Sequence, residues 1–326
     1  MNTHTLHTLG IAGDLSGEII DPIASLHATI EQLNHVVLGK DTQIRLAMAC
    51  LLARGHLLIE DLPGMGKTTL AHALAHCLGL TYNRVQFTSD ILPADIIGVS
   101  VFDRNNSSFH FHKGPIFAQL VLADEVNRAT PKAQSALLEA MEEQQVTADG
   151  HTYPLSSPFF VIATQNPTYQ IGTYPLPESQ LDRFLMRLQL GYPDAAHERQ
   201  LLSGRDRRDL LSEMPVTLAP AQLLILQNRV PKVHVSTALL DYLQAIVSYT
   251  RTSNKIVAGL SPRAGLALLR AAQAWALMQG HTGVLPEDLQ AVLTPVIGHR
   301  LVPAEDAALN KPAEIGAHVL QSVAVP

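Results

Sequence analysis

The chain has 326 residues, more than the roughly 100 to 200 residues that one domain usually takes, so a large and a smaller domain are expected. Apolar residues make up 47% and charged residues 16%, a balance that allows a buried core and excludes a disordered chain. The formal net charge of -6 disfavours nucleic acid and anionic membranes as general partners, although a local basic patch stays open.

The N-terminal region is polar and aperiodic. It carries no basic start followed by an apolar run, and no uncharged apolar stretch approaches about 18 residues, so no membrane span is expected. Residues 1–22 are predicted to form a tail. The two cysteines, Cys50 and Cys77, lie in apolar helical patterns, which favours buried free thiols and a cytoplasmic location.

The first half of the chain alternates helical patterns with short apolar runs. Helical spacing covers residues 24–38, and residues 56–60 predict a buried strand that leads into a glycine-containing segment and a helix through Cys77. Further strands are predicted at residues 84–87, 120–123, 159–163 and 184–190. Buried strands that alternate with helices predict an α/β fold with a mainly parallel five-stranded sheet flanked by helices.

The second part of the chain has helical periodicity without strand signals. The predicted helices cover residues 195–202, 219–229, 236–250, 262–279 and 286–297. We therefore predict an α/β domain over residues 23–193 and an all-helical domain over residues 194–326, with the boundary near Gly191.

The segment after the first predicted strand has the composition of a phosphate-binding loop. Backbone N–H groups, the dipole of the next helix and one ammonium would surround a nucleotide phosphate, and a hydroxyl would reach Mg²⁺; the residues are Gly64, Gly66, Lys67 and Thr68. Asp61 stands where the usual pattern has its first glycine, and we expect its charge to point away from the phosphates. The alternative is a glycine-rich turn that only precedes a helix.

Two further strands end in polar residues. Asp124 and Glu125 follow a predicted strand, at the edge where the carboxyl ends of parallel strands form a crevice. Asp124 would hold Mg²⁺, and Glu125 would orient and polarise the attacking water. Asn166 follows the next strand and can hydrogen-bond the γ-phosphate or that water. A solvated acidic turn and an ordinary turn asparagine are the alternatives.

Several stretches together resemble the MoxR family of AAA+ ATPases, in its branch with an insertion in helix 2. They are residues 60–69, 122–128, 134–143, 161–167, 172–178 and 181–184. The similarity extends from about residue 37 to residue 302. It implies a P-loop AAA+ core with a C-terminal helical lid domain, ATP and Mg²⁺ as ligands, and a homo-oligomeric ring that is hexameric.

The resemblance also implies roles for particular residues. ATP would be bound by Gly39, Pro63, Gly64, Met65, Gly66, Lys67, Thr68 and Thr69, and Mg²⁺ by Thr68 and Asp124. The catalytic set would be Glu125, Asn166 as sensor 1, Arg183 as an arginine finger that reaches the neighbouring subunit, and Arg263 as sensor 2. Arg187 and Arg128 are rival fingers, and a surface ion pair between Arg183 and Asp182 is the structural alternative.

Arg263 also has a feature that is independent of the resemblance. Ser261 and Pro262 predict a helix start, which puts Arg263 in the first turn, where the helix dipole disfavours a cation by about 0.3 kcal/mol or more. An arginine at this position needs an anion. The anion is a nucleotide phosphate or an ordinary carboxylate.

Two segments predict hairpins. Residues 98–113 contain two alternating runs around an Asn/Ser turn, and residues 145–155 contain an Asp-Gly turn signal. They resemble the helix-2 and pre-sensor-1 insertions of the family, which implies that they face the ring pore and contact the substrate. The alternative is that both are surface loops.

The resemblance implies an ATPase that remodels, assembles or activates a protein, with a partner that carries a von Willebrand factor A domain. A nucleic-acid motor or loader is the first alternative, and the acidic chain with few basic hairpin residues, among them Arg104 and Lys113, disfavours it. An ATP-binding scaffold with little hydrolysis is the second. The complete set of site residues disfavours that one.

Overall fold

The computed structural model describes residues 21–166, 174–205, 207–307, 309 and 311–325. Residues 1–20 of the predicted tail and residues 167–173, which include part of the motif at 172–178, lie outside this part of the chain.

The helices begin and end as follows: α1 Pro22–Val36, α2 Asp41–Leu52, α3 Lys67–Cys77, α4 Pro93–Ile97, α5 Pro131–Glu143, α6 Glu178–Leu181, α7 Ala195–Ser203, α8 Arg207–Glu213, α9 Pro220–Arg229, α10 Thr237–Thr252, α11 Pro262–Gln279, α12 Pro286–Ile297 and α13 Pro312–Ser322. The strands are β1 Leu57–Glu60, β2 Tyr82–Gln86, β3 Gly98–Asp103, β4 Ser108–Lys113, β5 Leu120–Asp124, β6 Gln145–Ala148, β7 His151–Pro154, β8 Phe160–Gln165, β9 Met186–Leu188, β10 Ile256–Ala258 and β11 Val302–Pro303. Among the described residues, no helix combines the length and the apolar character that crossing a bilayer requires.

Within the described residues the main sheet has five strands in the order β2-β5-β8-β1-β9, and all of its neighbouring pairs are parallel. Every residue of β5 and β8 is buried, as the continuous apolar runs predicted. The predicted fold class is therefore confirmed, with β2 starting at Tyr82 and β9 confined to Met186–Leu188. The carboxyl ends of β1, β5 and β8 lie at one edge of the sheet.

Side chains that alternate along the strands divide the core between the two faces of the sheet. Leu57, Leu122 and Ile162 face the cluster that includes α1, α2 and α3. Leu58 and Val121 face the opposite cluster, which includes α5. Both faces are covered, and the polar strand ends are left at the edge.

The helices after residue 194 form two groups, which pack against different parts of the first domain. Helices α8 and α9 contact α3 and α1, while α11 packs on α2 and α12, and α12 contacts β9 and α13. This part also contains the antiparallel pair of β10 with β11, which the helical pattern did not predict because strands of three and two residues are too short to show alternation.

Both predicted hairpins are present. β3 pairs with β4 from Gly98 opposite Lys113, and β6 pairs with β7 around Asp149 and Gly150, whose φ values are 50° and 77°. Positive φ at both turn positions explains why Asp-Gly marks this hairpin. The hairpins touch through Phe111 and Tyr153, whose ring centroids are 4.4 Å apart.

Candidate active site

The loop between β1 and α3 has the backbone geometry of an anion site. Gly64 and Gly66 have φ values of 84° and 89°, which favour glycine, and no heavy atom lies within 4 Å of a Cβ built at either. Gly66 precedes α3 and gives its first turn no side-chain cap, so the first N–H groups of the helix are available to an anion. The loop leaves open space where phosphates would lie.

The ammonium of Lys67 lies inside this loop. Its Nζ donates to the carbonyl oxygen of Asp61 at 2.6 Å and to that of Leu62 at 3.3 Å. Burial lowers the pKa of Lys67, and the carboxylates of Asp61, Asp124 and Glu125 oppose that effect. The side chain is held in place by the loop's own backbone.

Asp61 turns its carboxylate out of the loop, as expected. Its Oδ2 accepts hydrogen bonds from the backbone N–H groups of Leu190 and Gly191 at 2.7 and 2.6 Å, and its Oδ1 accepts from that of Leu62 at 2.8 Å. The residue that replaces the first glycine therefore ties the loop to the segment after β9.

Asp124 ends β5 at the edge of the sheet and is 6% exposed. Its Oδ1 accepts from the hydroxyl of Thr164 at 2.5 Å, and its Oδ2 accepts from the guanidinium of Arg84 at 2.6 Å. Both carboxylate oxygens are therefore held by neighbouring strands, with Arg84 on β2 and Thr164 on β8.

Glu125 lies in the left-handed region with φ 59° and ψ 46°, a conformation that is unusual for a non-glycine residue and recurs at functional sites. Its Oε1 accepts from the side-chain amide of Asn166 at 3.1 Å. Its Oε2 accepts from Gln86 at 3.1 Å and pairs with Arg128 at 3.0 Å. Glu125 and Asn166 are thus in direct contact, although they follow different strands.

A cleft of about 330 Å³ joins these groups. It is lined by Pro63, Gly64, Gly66, Lys67, Thr68, Thr69, Arg84, Asp124, Glu125 and Asn166. Arg84 was not predicted. The sequence signal that could have indicated it is a charged residue within a predicted buried strand, which the structure places opposite Leu122 of β5.

A second cavity of about 200 Å³ continues from the loop. It is lined by Val36, Val37, Leu38, Lys40, Gly64, Met65, Gly66, Thr69, Pro193, Leu201 and Arg207. Gly39 adjoins it with φ 68°, and a Cβ there would approach the ring of His197 to 3.0 Å. A mostly apolar cavity next to a phosphate loop fits the base of a nucleotide. Lys40 and Arg207 at its wall were not predicted.

Oxygen ligands for a metal lie in the first cleft, where Thr68 and Asp124 both line the wall. Within the described residues, no three His, Cys, Asp or Glu side chains converge in a metal-binding group. Mg²⁺ commonly takes one or two protein oxygens and completes its shell with phosphates and water. The donor set fits Mg²⁺ that is bound together with a nucleotide.

Arg183 and Arg263 lie elsewhere, since neither lines the two cavities. Both pair with Glu142, at 3.0 Å from Arg183 and at 2.9 Å from Arg263. The alternative pairing of Arg183 with Asp182 is wrong, because Asp182 pairs with Arg300 at 2.7 Å. Arg263 does have a carboxylate partner, which was the alternative left open for it.

The two rival fingers have other contacts. Arg187 pairs with Glu60 at 3.3 Å and donates to the carbonyl oxygen of Gly298 at 2.7 Å. Arg128 pairs with Glu125 in its own cleft.

Arg300 holds the segment that carries Arg183. It is 5% exposed, and besides pairing with Asp182 it donates to the carbonyl oxygens of Phe184 at 2.7 Å and Leu185 at 3.0 Å. Burial lowers the pKa of Arg300, and Asp182 opposes that effect. Nothing local in the sequence indicates this contact.

Comparison with known proteins shows which family the chain resembles. The description "ATPase family associated with various cellular activities (AAA)" matches residues 56–186, and an AAA lid domain matches residues 248–317. Chaperone MoxR1 of Mycobacterium tuberculosis is 38% identical over 93% of this chain and 83% of its own length. Protein MoxR of Paracoccus denitrificans is 33% identical over 82% of this chain and 86% of its own length.

An uncharacterized protein of Bacillus subtilis, YeaC, is 42% identical over 92% of this chain and 95% of its own length. The crystal structure of a candidate ATPase from Cytophaga hutchinsonii superposes with a TM-score of 0.83 at 35% identity, covering 94% of this chain and 96% of that one. A relative that is matched over most of both lengths, together with the shared fold, shows the family. The chain belongs to the MoxR family of AAA+ ATPases.

Proposed function

We propose that the protein binds and hydrolyses ATP with Mg²⁺ at the subunit interfaces of a homo-oligomeric ring, and uses this cycle to remodel, assemble or activate a partner protein. The observation that carries the proposal is the convergence of Lys67, Asp124, Glu125 and Asn166 on one cleft. Family membership supports ATPase activity, and the name of one relative, Chaperone MoxR1, supports chaperone-like action.

Within the cleft each side chain has a separate task. Lys67 and the N–H groups after Gly64 would bind phosphate oxygens, while Thr68 and Asp124 would hold Mg²⁺. The ion, when bound, would neutralise charge at the phosphates. Glu125, whose Oε1 is fixed by Asn166 and whose Oε2 pairs with Arg128, would orient and polarise the attacking water. Pro63, Met65, Thr69 and Gly39 would complete the nucleotide site.

Arg183 and Arg263 are proposed to act on the nucleotide of the neighbouring subunit. Neither lines the cavities of its own subunit, and both meet at Glu142. Arg187 is a weaker candidate because its side chain is 17% exposed and bound to Glu60 and Gly298, whereas that of Arg183 is 29% exposed. An arginine that completes a site from outside is worth about 10³ to 10⁵ in rate in related phosphoryl transfer.

The substrate surface is proposed to lie on the two hairpins. Phe102 and Phe109 expose 48% and 72% of their area, which suits contact with a protein chain. Lys113 lies over the ring of Phe117 at 5.0 Å, so one of the few basic groups is already engaged. Four further proposals rest on the resemblance and on composition. They are a hexamer, a partner with a von Willebrand factor A domain, a cytoplasmic location, and a division of the chain at residue 193.

The mechanism is tested by ATP turnover at several protein concentrations for wild type, Lys67→Ala, Glu125→Gln and Arg183→Ala. Turnover per subunit should rise with concentration in wild type and be lost in each variant. Undiminished turnover in Glu125→Gln would contradict its role with water, and a concentration-independent rate in a proven monomer would contradict the shared site.

Remodelling is tested separately, by a pull-down from native cells with Glu125→Gln and ATP. This variant should hold ATP and the partner together. If it retains no protein beyond those that wild type with ADP retains, the remodelling proposal is wrong, even where the ATPase proposal stands.

A further inference from the structure

Glu142 joins two parts of the chain. Its Oε2 pairs with Arg183, which precedes β9, and its Oε1 pairs with Arg263 in the first turn of α11. The guanidinium nitrogens lie 3.0 and 2.9 Å from the two carboxylate oxygens, one oxygen for each arginine. A single carboxylate therefore links a residue of the AAA core to a residue of the lid.

Local helix energetics do not explain these positions. Glu142 lies in the last turn of α5, where the helix dipole disfavours an anion, and Arg263 lies in the first turn of α11, where the dipole disfavours a cation. Both residues sit at the less favourable end of their helix. The ion pairs of Glu142 with Arg263 and with Arg183 compensate for these unfavourable positions.

A contribution to folding stability is also a weak explanation for the contact of Glu142 with the two arginines. The side chains of Glu142, Arg183 and Arg263 are 33%, 29% and 54% exposed, and solvent-exposed ion pairs contribute little to folding. What the contact does provide is geometry, since a shared carboxylate restricts two long and flexible side chains. Two guanidiniums on one carboxylate also keep an excess positive charge, which an approaching phosphate requires.

We infer that Glu142 is a positioning residue that holds Arg183 and Arg263 as one unit, so that both guanidiniums meet the phosphates of the neighbouring subunit together. Arg300 fixes the backbone around Asp182 and Phe184, and Glu142 fixes the tip of the Arg183 side chain. Glu142 lines neither cavity of the candidate site, so its role would be exerted through the two arginines and not on the nucleotide itself. The inference rests on the proposed action of the two arginines across the interface.

The test compares kcat and KM for ATP in wild type, Glu142→Ala and Glu142→Gln, with Glu213→Gln as control. Glu213 is an exposed carboxylate of α8 that pairs with Arg205 at 2.5 Å, and not with Arg183 or Arg263. The kcat of Glu142→Ala should fall roughly 10-fold to 100-fold, because a small misplacement of a positioning group costs up to about 100-fold. The kcat of Glu142→Gln should lie between those of Glu142→Ala and wild type, since its amide oxygen still accepts from one arginine. The kcat of the control should match that of wild type.

A second readout separates positioning from a change in the subunit's own site. The Kd of a fluorescent ATP analogue, measured on dilute subunits, should be the same for Glu142→Ala and wild type.

The outcomes distinguish this inference from the function it rests on. If Arg183→Ala leaves turnover unchanged, the proposed shared site fails and the role of Glu142 fails with it. If Arg183→Ala abolishes turnover while Glu142→Ala equals wild type, only the role of Glu142 fails. A rise in kcat for Glu142→Ala also overturns positioning, because it would show that the carboxylate restrains the arginines.

Discussion

Asp61 accepts three backbone hydrogen bonds, two of them from Leu190 and Gly191 in the segment that follows β9. A glycine at this position would give the loop more conformational freedom but no acceptor for those N–H groups. The negative charge is stabilised by N–H dipoles that point at it, and these hydrogen bonds hold the carboxylate away from the proposed phosphate site. The Asp61 side chain thus ties the loop between β1 and α3 to the segment that leads to α7.

Replacing Asp61 by Ala should lower the free energy of unfolding by about 1 to 3 kcal/mol, because it leaves backbone donors without an acceptor. Thermal and urea unfolding measure this, with the exposed Asp241→Ala as a control that should stay within about 0.5 kcal/mol of wild type. Asp61→Gly, which restores the usual glycine, should be destabilised as well. Equal stability of Asp61→Gly and wild type would show that the anchor contributes nothing.

His56 is a buried residue whose charge state depends on pH. It is 5% exposed, its Nδ1 accepts from the backbone of Val161 at 3.0 Å, and its Nε2 donates to the carbonyl oxygen of Met141 at 3.3 Å. Burial lowers its pKa to about 4. Burial also lowers the pKa of His299 well below its ordinary value, and the charges of Arg300 and Arg187 add to that effect.

Because the folded pKa of His56 is depressed, its neutral form stabilises the fold above the unfolded pKa of about 6.5, and stability falls as the pH drops from there towards 4. The loss from His56 should reach about 3 kcal/mol at most. Urea unfolding between pH 7.5 and 4 measures it. His56→Asn keeps an acceptor for Val161 without titrating, and an equal pH slope in this variant and wild type would contradict the assignment.

At the scale of an element, the start of α11 decides where Arg263 lies. The Oγ of Ser261 accepts from the backbone of Ala264 at 3.0 Å, and Pro262 occupies the first helical position. These two residues set the first turn, and Arg263 follows directly. The same kind of cap begins α10, where Ser236 accepts from Leu239 at 3.2 Å, but that helix carries no residue of the proposed site.

Ser261→Ala and Ser236→Ala should therefore each lower stability by about 0.5 to 2 kcal/mol, the usual cost of losing an N-cap. Only Ser261→Ala should also lower ATP turnover, because it loosens the turn that carries Arg263. Matched thermal midpoints and turnover rates measure both effects. Equal turnover losses in the two variants would mean that general destabilisation, and not the position of Arg263, is responsible.

At the scale of the whole molecule, the nucleotide cleft and the pair of arginines occupy different places on one subunit. In the proposed ring, head-to-tail contact would bring the cleft of one copy next to the arginines of the next. Each interface would then need an intact cleft from one subunit and an intact Arg183 from its neighbour.

Mixing inactive Lys67→Ala with inactive Arg183→Ala should therefore restore activity, with about a quarter of the sites complete after random assembly of equal amounts. Turnover measured against the mixing ratio checks this. As a control, a mixture of Lys67→Ala with Glu125→Gln should not recover this activity, because both defects lie in the same cleft and every cleft in the mixture is therefore defective. No recovery in the first mixture would contradict the shared site.

Much of this protein could be predicted from sequence because the determining signals are local. Apolar runs separated by helical patterns specify the sheet, and the glycines around Lys67 specify the loop. Asp124 ends a strand, and Glu125 and Asn166 directly follow strands. Parallel strands bring their carboxyl ends to one edge, so order along the chain was enough to assemble that part of the site. The Asp-Gly turn and the Ser-Pro helix start were equally local.

Only the tertiary structure decided the contacts between distant residues. Arg263 lies 121 residues from Glu142, and Arg300 lies 118 residues from Asp182. Arg84 reaches Asp124 across 40 residues because β2 happens to pair with β5. Periodicity and capping report only on neighbours within a few turns. Which carboxylate meets which arginine depends on how the lid packs on the core, and that is a property of the folded chain alone.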